Sequence, residues 1–171
     1  MKTRTQTGFT LLELMVTTAI VAIFAIIALP SMSEFIKNER LTTQINGLVA
    51  SLQRARSEAI LRHVPVTLCS SDNGASCTND DWDAGWILFA DVNGDGAVDA
   101  EDEVLQIKNT LEGNTSLTGS GGVTVITYDS RGFTPGASTT FSLCDDRGSS
   151  FGKAISISNT GRVNTGGAVS C

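Results

Sequence analysis

Residues 9–29 read FTLLELMVTTAIVAIFAIIAL. Coiled into an α-helix, these 21 residues would extend about 31 Å, enough to cross the hydrocarbon core of a bilayer. Glu13 is the one residue that resists this reading. A carboxylate in lipid is costly and needs a partner, unless it lies close enough to the interface to reach water. A cleaved secretory signal would have a shorter apolar region followed by a small-x-small site. Here PSMSEFIKNER follows, and no such site is present. Lys2 and Arg4 precede the stretch and would remain cytoplasmic, which directs the rest of the chain outward.

Gly8-Phe9-Thr10-Leu11-Leu12-Glu13-Leu14 resembles the processing site of type IV pilins and of the pseudopilins of type II secretion. The resemblance implies a leader peptide over residues 1–8, cut after Gly8 by a dedicated prepilin peptidase, with methylation of the new N-terminal Phe9. It implies an assembly role for Glu13 and places the family's helix proline on Pro30. The freed amine of Phe9 lies about one helical turn from Glu13. A neighbouring subunit's amine would then be the partner that the carboxylate requires.

After Pro30 the apolar residues include Met32 and Phe35, then Leu41, Ile45, Leu48, Leu52, Ala55 and Ala59. From Leu41 their spacing follows one helical face. The expected organisation is a transmembrane helix over 9–29, an amphipathic continuation over 30–62, and a β-rich head over 63–171. Pro30 should kink or loosen the helix. Strands are expected at Val64–Cys69, Gly85–Ala90, Val104–Ile107, Val123–Tyr128, Thr139–Cys144 and Ala154–Ser158, with a short last one at Arg162-Val163. The fold class is therefore α+β: a long N-terminal helix packed on an antiparallel sheet.

The net charge is −6. From Ser31 to Cys171 it is 10 basic minus 17 acidic residues, or −7. Such a head has no general attraction for nucleic acid. Four cysteines, Cys69, Cys77, Cys144 and Cys171, all follow the apolar stretch. In an exported domain they read as two disulfides, for which three connectivities exist. The short spacing of Cys69 and Cys77 suits a local staple, and a Cys144–Cys171 bond would tether the terminus. Zinc is disfavoured, since there is no CxxC pair and His63 lies in no ligand motif.

Residues 91–102, DVNGDGAVDAED, have the oxygen spacing of a calcium loop. Asp91, Asn93, Asp95, Asp99 and Asp102 would offer side chains and Ala97 its carbonyl. The competing and favoured reading is an acidic hairpin turn whose side chains cap their own backbone. No resident cofactor is expected beyond that calcium candidate. No GxSxG, HExxH or phosphate loop occurs, so the chain is not expected to be an enzyme.

Trp82 and Gly85-Trp86-Ile87-Leu88-Phe89, the acidic loop behind them, and Gly161-Arg162-Val163-Asn164 resemble the GspH/FimT branch of minor pilins and pseudopilins, most nearly its FimU-type minor pilins. That resemblance implies a minor pilin that helps initiate a type IV pilus and is incorporated into it. Its partners would be other minor and major pilins, the prepilin peptidase and the inner membrane. Its head would be periplasmic before assembly and lie at the cell surface in the pilus afterwards. A type II secretion pseudopilin and a DNA-uptake pilin are the alternatives. The latter kind carries Gly-Arg-x-Arg near its end. Here Arg162 is followed by Asn164 where the second arginine is expected, which leaves Arg162 as the lone candidate DNA contact.

Overall fold

The structure, a computed structural model, describes residues 8–78 and 81–171, with the side chains of 27–30 left out. Residues 1–7 of the expected leader lie outside the described residues. The chain divides into two units, one ending at Glu39 and the other running from Arg40 to Cys171.

The helix α1 spans Leu11–Arg62 and crosses both units. Thr10 starts it: its Oγ1 accepts the Glu13 backbone N–H at 3.2 Å, which satisfies one of the free donors of the first turn. The helix stops at His63, whose φ is +58°, and Pro65 restricts the residue before it from continuing helically. Helical backbone is continuous through Pro30. In the first unit the apolar side chains Phe9, Leu11, Leu12, Met15, Val21, Ile23 and Phe24 are exposed. Thr17 and Thr18 donate their hydroxyls to the carbonyls of Leu14 and Met15. These two hydroxyls inside the apolar stretch therefore need no water, as a bilayer demands.

Among the described residues the second unit holds eight strands in two antiparallel sheets of four. One has the order β3-β2-β1-β5: β1 is Val66–Ser70, β2 Gly85–Ala90, β3 Glu103–Asn109 and β5 Val125–Tyr128. The other runs β4-β6-β7-β8: β4 is Ser116–Gly119, β6 Thr139–Cys144, β7 Lys153–Ile157 and β8 Val163–Thr165. Leu41, Ile45, Leu48, Leu52, Ala55 and Ala59 are all buried, in one core with residues of both sheets. The head thus begins inside α1, because those six side chains find their apolar partners on the strands.

Two indoles set the architecture. Trp86 on β2 faces the helix and donates its Nε1–H to Ser51 Oγ at 3.0 Å. Trp82, in a single 3-10 turn before β2, meets Phe141 of the other sheet edge-on, with centroids 5.0 Å apart. Its Nε1–H donates to the Val123 carbonyl at 2.7 Å. Gly85 between them has φ +121°, and a Cβ there would strike the Lys108 carbonyl. β2 is buried on both faces. Ile87 and Phe89 form a second small core with Cys69, covered by Cys77, Val98 and Val125.

Candidate functional site

At the N-terminal end, Phe9 and Glu13 are exposed. Glu13 lies in the first turn of α1, where a negative charge favours the helix dipole. Thr10-Leu11-Leu12-Glu13 is also a capping-box spacing. The sequence reading did not identify this local role, although Thr10 three residues ahead of a glutamate is its signal. Gly8 has nothing within reach of an added Cβ. Pro30 lies within α1.

The structure joins Cys69 to Cys77 and Cys144 to Cys171, with Cα separations of 5.6 and 6.0 Å, ordinary for disulfides. The first closes a loop that lies against the acidic segment: Cys77 Sγ contacts the Gly96 carbonyl at 3.6 Å. The second holds the tail across β6 and β7, where Gly166 donates to Ala154 and Ser170 to Ser142 Oγ.

The acidic segment is organised by Asp91, which is fully buried at the end of β2. Its Oδ1 accepts the N–H groups of Gly94 and Asp95 at 2.7 and 3.1 Å. Its Oδ2 accepts Gly96 N–H at 3.0 Å and the Thr67 hydroxyl at 2.8 Å. Thr67 Oγ1 also lies 2.8 Å from Thr127 Oγ1, so the contact continues across β1 to β5. Asp102 accepts from Val92 and Asp99, Asp95 from Ala97, and Asp99 from Glu101. The Asn93 amide donates to both Asp95 and Asp99. Ala97 is exposed. The carboxylates are thus directed at backbone donors and at Asn93. Among the described residues no three His, Cys, Asp or Glu converge to hold a metal. The geometry is that of a self-capped turn.

Arg162 is exposed and forms no ion pair among the described residues. Gly161 beside it has φ +72°, and a Cβ there would collide with the Gly132 carbonyl. The β7–β8 turn and the turn after β5 are therefore in direct contact. Thr134 reinforces them, donating its N–H to Asn159 at 3.0 Å and its hydroxyl to Ser158 at 2.8 Å. Asp129 shapes the second turn: Oδ1 accepts Phe133 N–H and Arg131 N–H, and Oδ2 pairs with the Arg131 guanidinium at 2.8 Å. The Phe133 N–H, then Arg131, hold this carboxyl below its ordinary pKa. Arg147 pairs with Asp145 at 2.7 Å. Arg131 and Arg147 therefore each have a carboxylate partner, and Arg147 lies in the β6–β7 turn rather than in these two.

Tyr128, which precedes that turn, is fully buried. Its hydroxyl has no hydrogen-bond partner among the described residues, and burial pushes its pKa up to about 12.

Comparisons with known proteins agree on the class. No curated protein matches the chain. Among solved structures, the Pseudomonas aeruginosa type IV minor pilin FimU in one crystal form covers 78% of this chain and 93% of its own, at 23% identity and a TM-score of 0.63. In a second crystal form the values are 74%, 93%, 21% and 0.55. These likenesses establish the fold, an α+β pilin fold with a long N-terminal helix. The prokaryotic N-terminal methylation motif matches residues 3–29. The family described as type II transport protein GspH matches residues 44–161, most of the chain and nearly all of the helix-and-sheet core, and the chain belongs to that family.

Proposed function

We propose that this chain is a minor pilin that helps initiate a type IV pilus and is incorporated into it. The observation that carries the reading is the exposed apolar helix face from Leu11 to Ile26 within the methylation motif. α1 is long and apolar enough to cross a membrane. Such a surface needs lipid before assembly and neighbouring helices afterwards. Cleavage after Gly8 by the prepilin peptidase then gives a mature chain that begins at Phe9. Glu13 pairs with the Phe9 amine of an adjacent subunit, so its cost in lipid selects for docking. The head faces the periplasm first and the cell surface later, beside other minor and major pilins. No catalysis is assigned to it.

The family's type II transport description supports a second reading, a minor pseudopilin assembling beneath a secretin. DNA uptake is a weaker alternative. Phosphate binding needs several clustered cations, and Asn164 stands where that motif expects a second arginine. Deleting the chain in its native host and counting pili, with secretion of exported enzymes assayed in parallel, tests the choice. Lost piliation with normal secretion supports the pilus reading, and the reverse favours the pseudopilin.

A further inference from the structure

The second sheet turns Phe141, Leu143, Ile155 and Ile157 into the core. Side chains alternate along a strand, so Ser142, Cys144 and Ala154 face the other way. Yet Ser142 is only 5% exposed, Cys144 3% and Ala154 7%. What covers them is the end of the chain. Gly166 donates its N–H to the Ala154 carbonyl at 2.9 Å, and Ser170 donates its own to Ser142 Oγ at 3.1 Å. A Cβ added at Gly167 would lie 3.9 Å from Ala154 and Thr140, and one at Gly152 would strike Val169. Cys171 closes the crossing through its bond to Cys144. The tail also walls two recesses. One of about 420 Å³ lies toward β4, where Ala168 and Ser170 face Thr118 and Thr140. The other, about 320 Å³, lies toward α1, where Gly167 and Val169 face Thr42 and Asn46.

The two disulfides differ in their surroundings. Cys69 is fully buried in the small core with Ile87 and Phe89, and Cys77 packs on that core. Gly74 of the same loop rests on Ile107. Burial hinders the approach of an attacking thiolate and disfavours the thiolate that must leave. Cys171 is exposed, and in the tail that carries it only Val169 is half-buried. At the root of that tail Gly166 and Gly167 have φ +96° and +144°. Glycine recovers more backbone freedom than any other residue when it is released. Among the described residues the core of α1 and the two sheets includes nothing beyond Val163. Freeing the tail therefore leaves that core intact.

We infer that residues 166–171 are a strap over the outer face of the second sheet, and that Cys144–Cys171 is its redox latch, opened and closed independently of Cys69–Cys77. The reductant is a dithiol. Its thiolate attacks Cys171 Sγ, the bond to Cys144 breaks, and Cys144 leaves as a thiolate that takes up a proton. The second thiol of the reagent loses its proton and closes on the first sulfur, which releases Cys171 as a thiol. Two electrons pass from the dithiol to the protein. With the strap lifted, Ser142 and Ala154 are uncovered and the recesses on its two sides open into one another. Only residues of the second unit take part, so the filament reading is not needed.

The test treats the full-length chain in detergent with dithiothreitol under native conditions. Samples are alkylated at intervals and mapped by peptide, and amide hydrogen exchange is measured alongside. Cys144 and Cys171 should be alkylated at least about tenfold faster than Cys69 and Cys77. Exchange should then rise at the Gly166 and Ser170 amides while β1 and β2 keep their protection, and oxidised glutathione should reverse the change. Cys171→Ser should show the raised exchange at Gly166 without reductant and no further rise when it is added. Equal rates at the two disulfides, faster reduction of Cys69–Cys77, loss of protection in β1 and β2 together with the tail, or a tail still protected after Cys144 and Cys171 are reduced would each overturn the inference.

Discussion

Replacing Asp91 by alanine should cost the head about 3 kcal/mol. Four donors converge on this buried carboxylate: the backbone of Gly94, Asp95 and Gly96, and the Thr67 hydroxyl. Hydrogen bonds to a charged group contribute roughly 1.5–3 kcal/mol each when buried. The three backbone donors belong to an exposed loop and regain water when the acid is lost, so they count for less than that range. Thr67 is fully buried and among the described residues retains only Thr127. Summing one buried bond and three partly compensated ones gives the figure of about 3 kcal/mol, or a fall in Tm of roughly 10 °C for a domain of this size. Asp91→Asn keeps one acceptor but turns an NH2 group toward the same donors, and should lose about half as much. The assay is urea and thermal unfolding of the chain with calcium and, separately, with chelator. In the self-capped account the losses are equal in both conditions, and wild type itself does not shift with calcium. A loss below about 1 kcal/mol would refute the anchoring argument. A penalty seen only with calcium would make Asp91 an ion ligand instead.

Glu13→Ala should leave cleavage after Gly8 intact but remove the chain from sheared filaments, as measured by mass and by subunit counting; normal incorporation would end the pairing idea. Tyr128→Phe should be at least as stable as wild type at pH 7, since the hydroxyl has no partner among the described residues and an unsatisfied buried group is costly. Because burial raises the folded pKa to about 12, wild type keeps this contribution below the unfolded pKa near 10 and loses up to roughly 3 kcal/mol as pH rises toward 12. The Phe variant should lack that loss in melts compared across pH 9–12. Cys171→Ser should cost about 2–4 kcal/mol by loop entropy and increase proteolysis of the 166–171 tail, read by limited digestion. The wild-type chain should bind duplex DNA weakly at about 0.15 M salt, and Asn164→Arg should strengthen it; tight binding in a gel-shift titration of unaltered protein would favour the uptake role.

The helix and most strands were legible because their signals are local. The apolar positions from Leu41 to Ala59 repeat with helical spacing, and all six are buried. Gly85–Ala90 and Thr139–Cys144 are strands over those same residues. β4 was missed: in Ser116–Gly119 only Leu117 is buried, so no alternation announces it, and its glycine-rich surroundings read as a turn. The division into two sheets was also hidden, since it depends on which strands pair across long separations. Trp82 marks that division, but only Phe141 opposite it reveals the role. Ser51 was invisible for the same reason. A serine on the apolar face looks like a defect until Trp86 and Gln106 are found donating to it at 3.0 Å. The acidic loop is oxygen-rich by composition, yet the oxygen count cannot say where the carboxylates point. Burial of Asp91 beneath its own loop decides that, and periodicity carries no trace of it. Contact between Gly161 and Gly132 likewise joins two turns far apart in sequence.

The central claim is that this GspH-family chain matures at its N-terminus and enters a filament through α1. Intact mass measurement of the protein recovered from sheared surface filaments tests it most directly. The account predicts a chain beginning at Phe9, carrying one added methyl group and two disulfides. Filaments wholly lacking the chain, or a recovered chain that still begins at Met1, would contradict it.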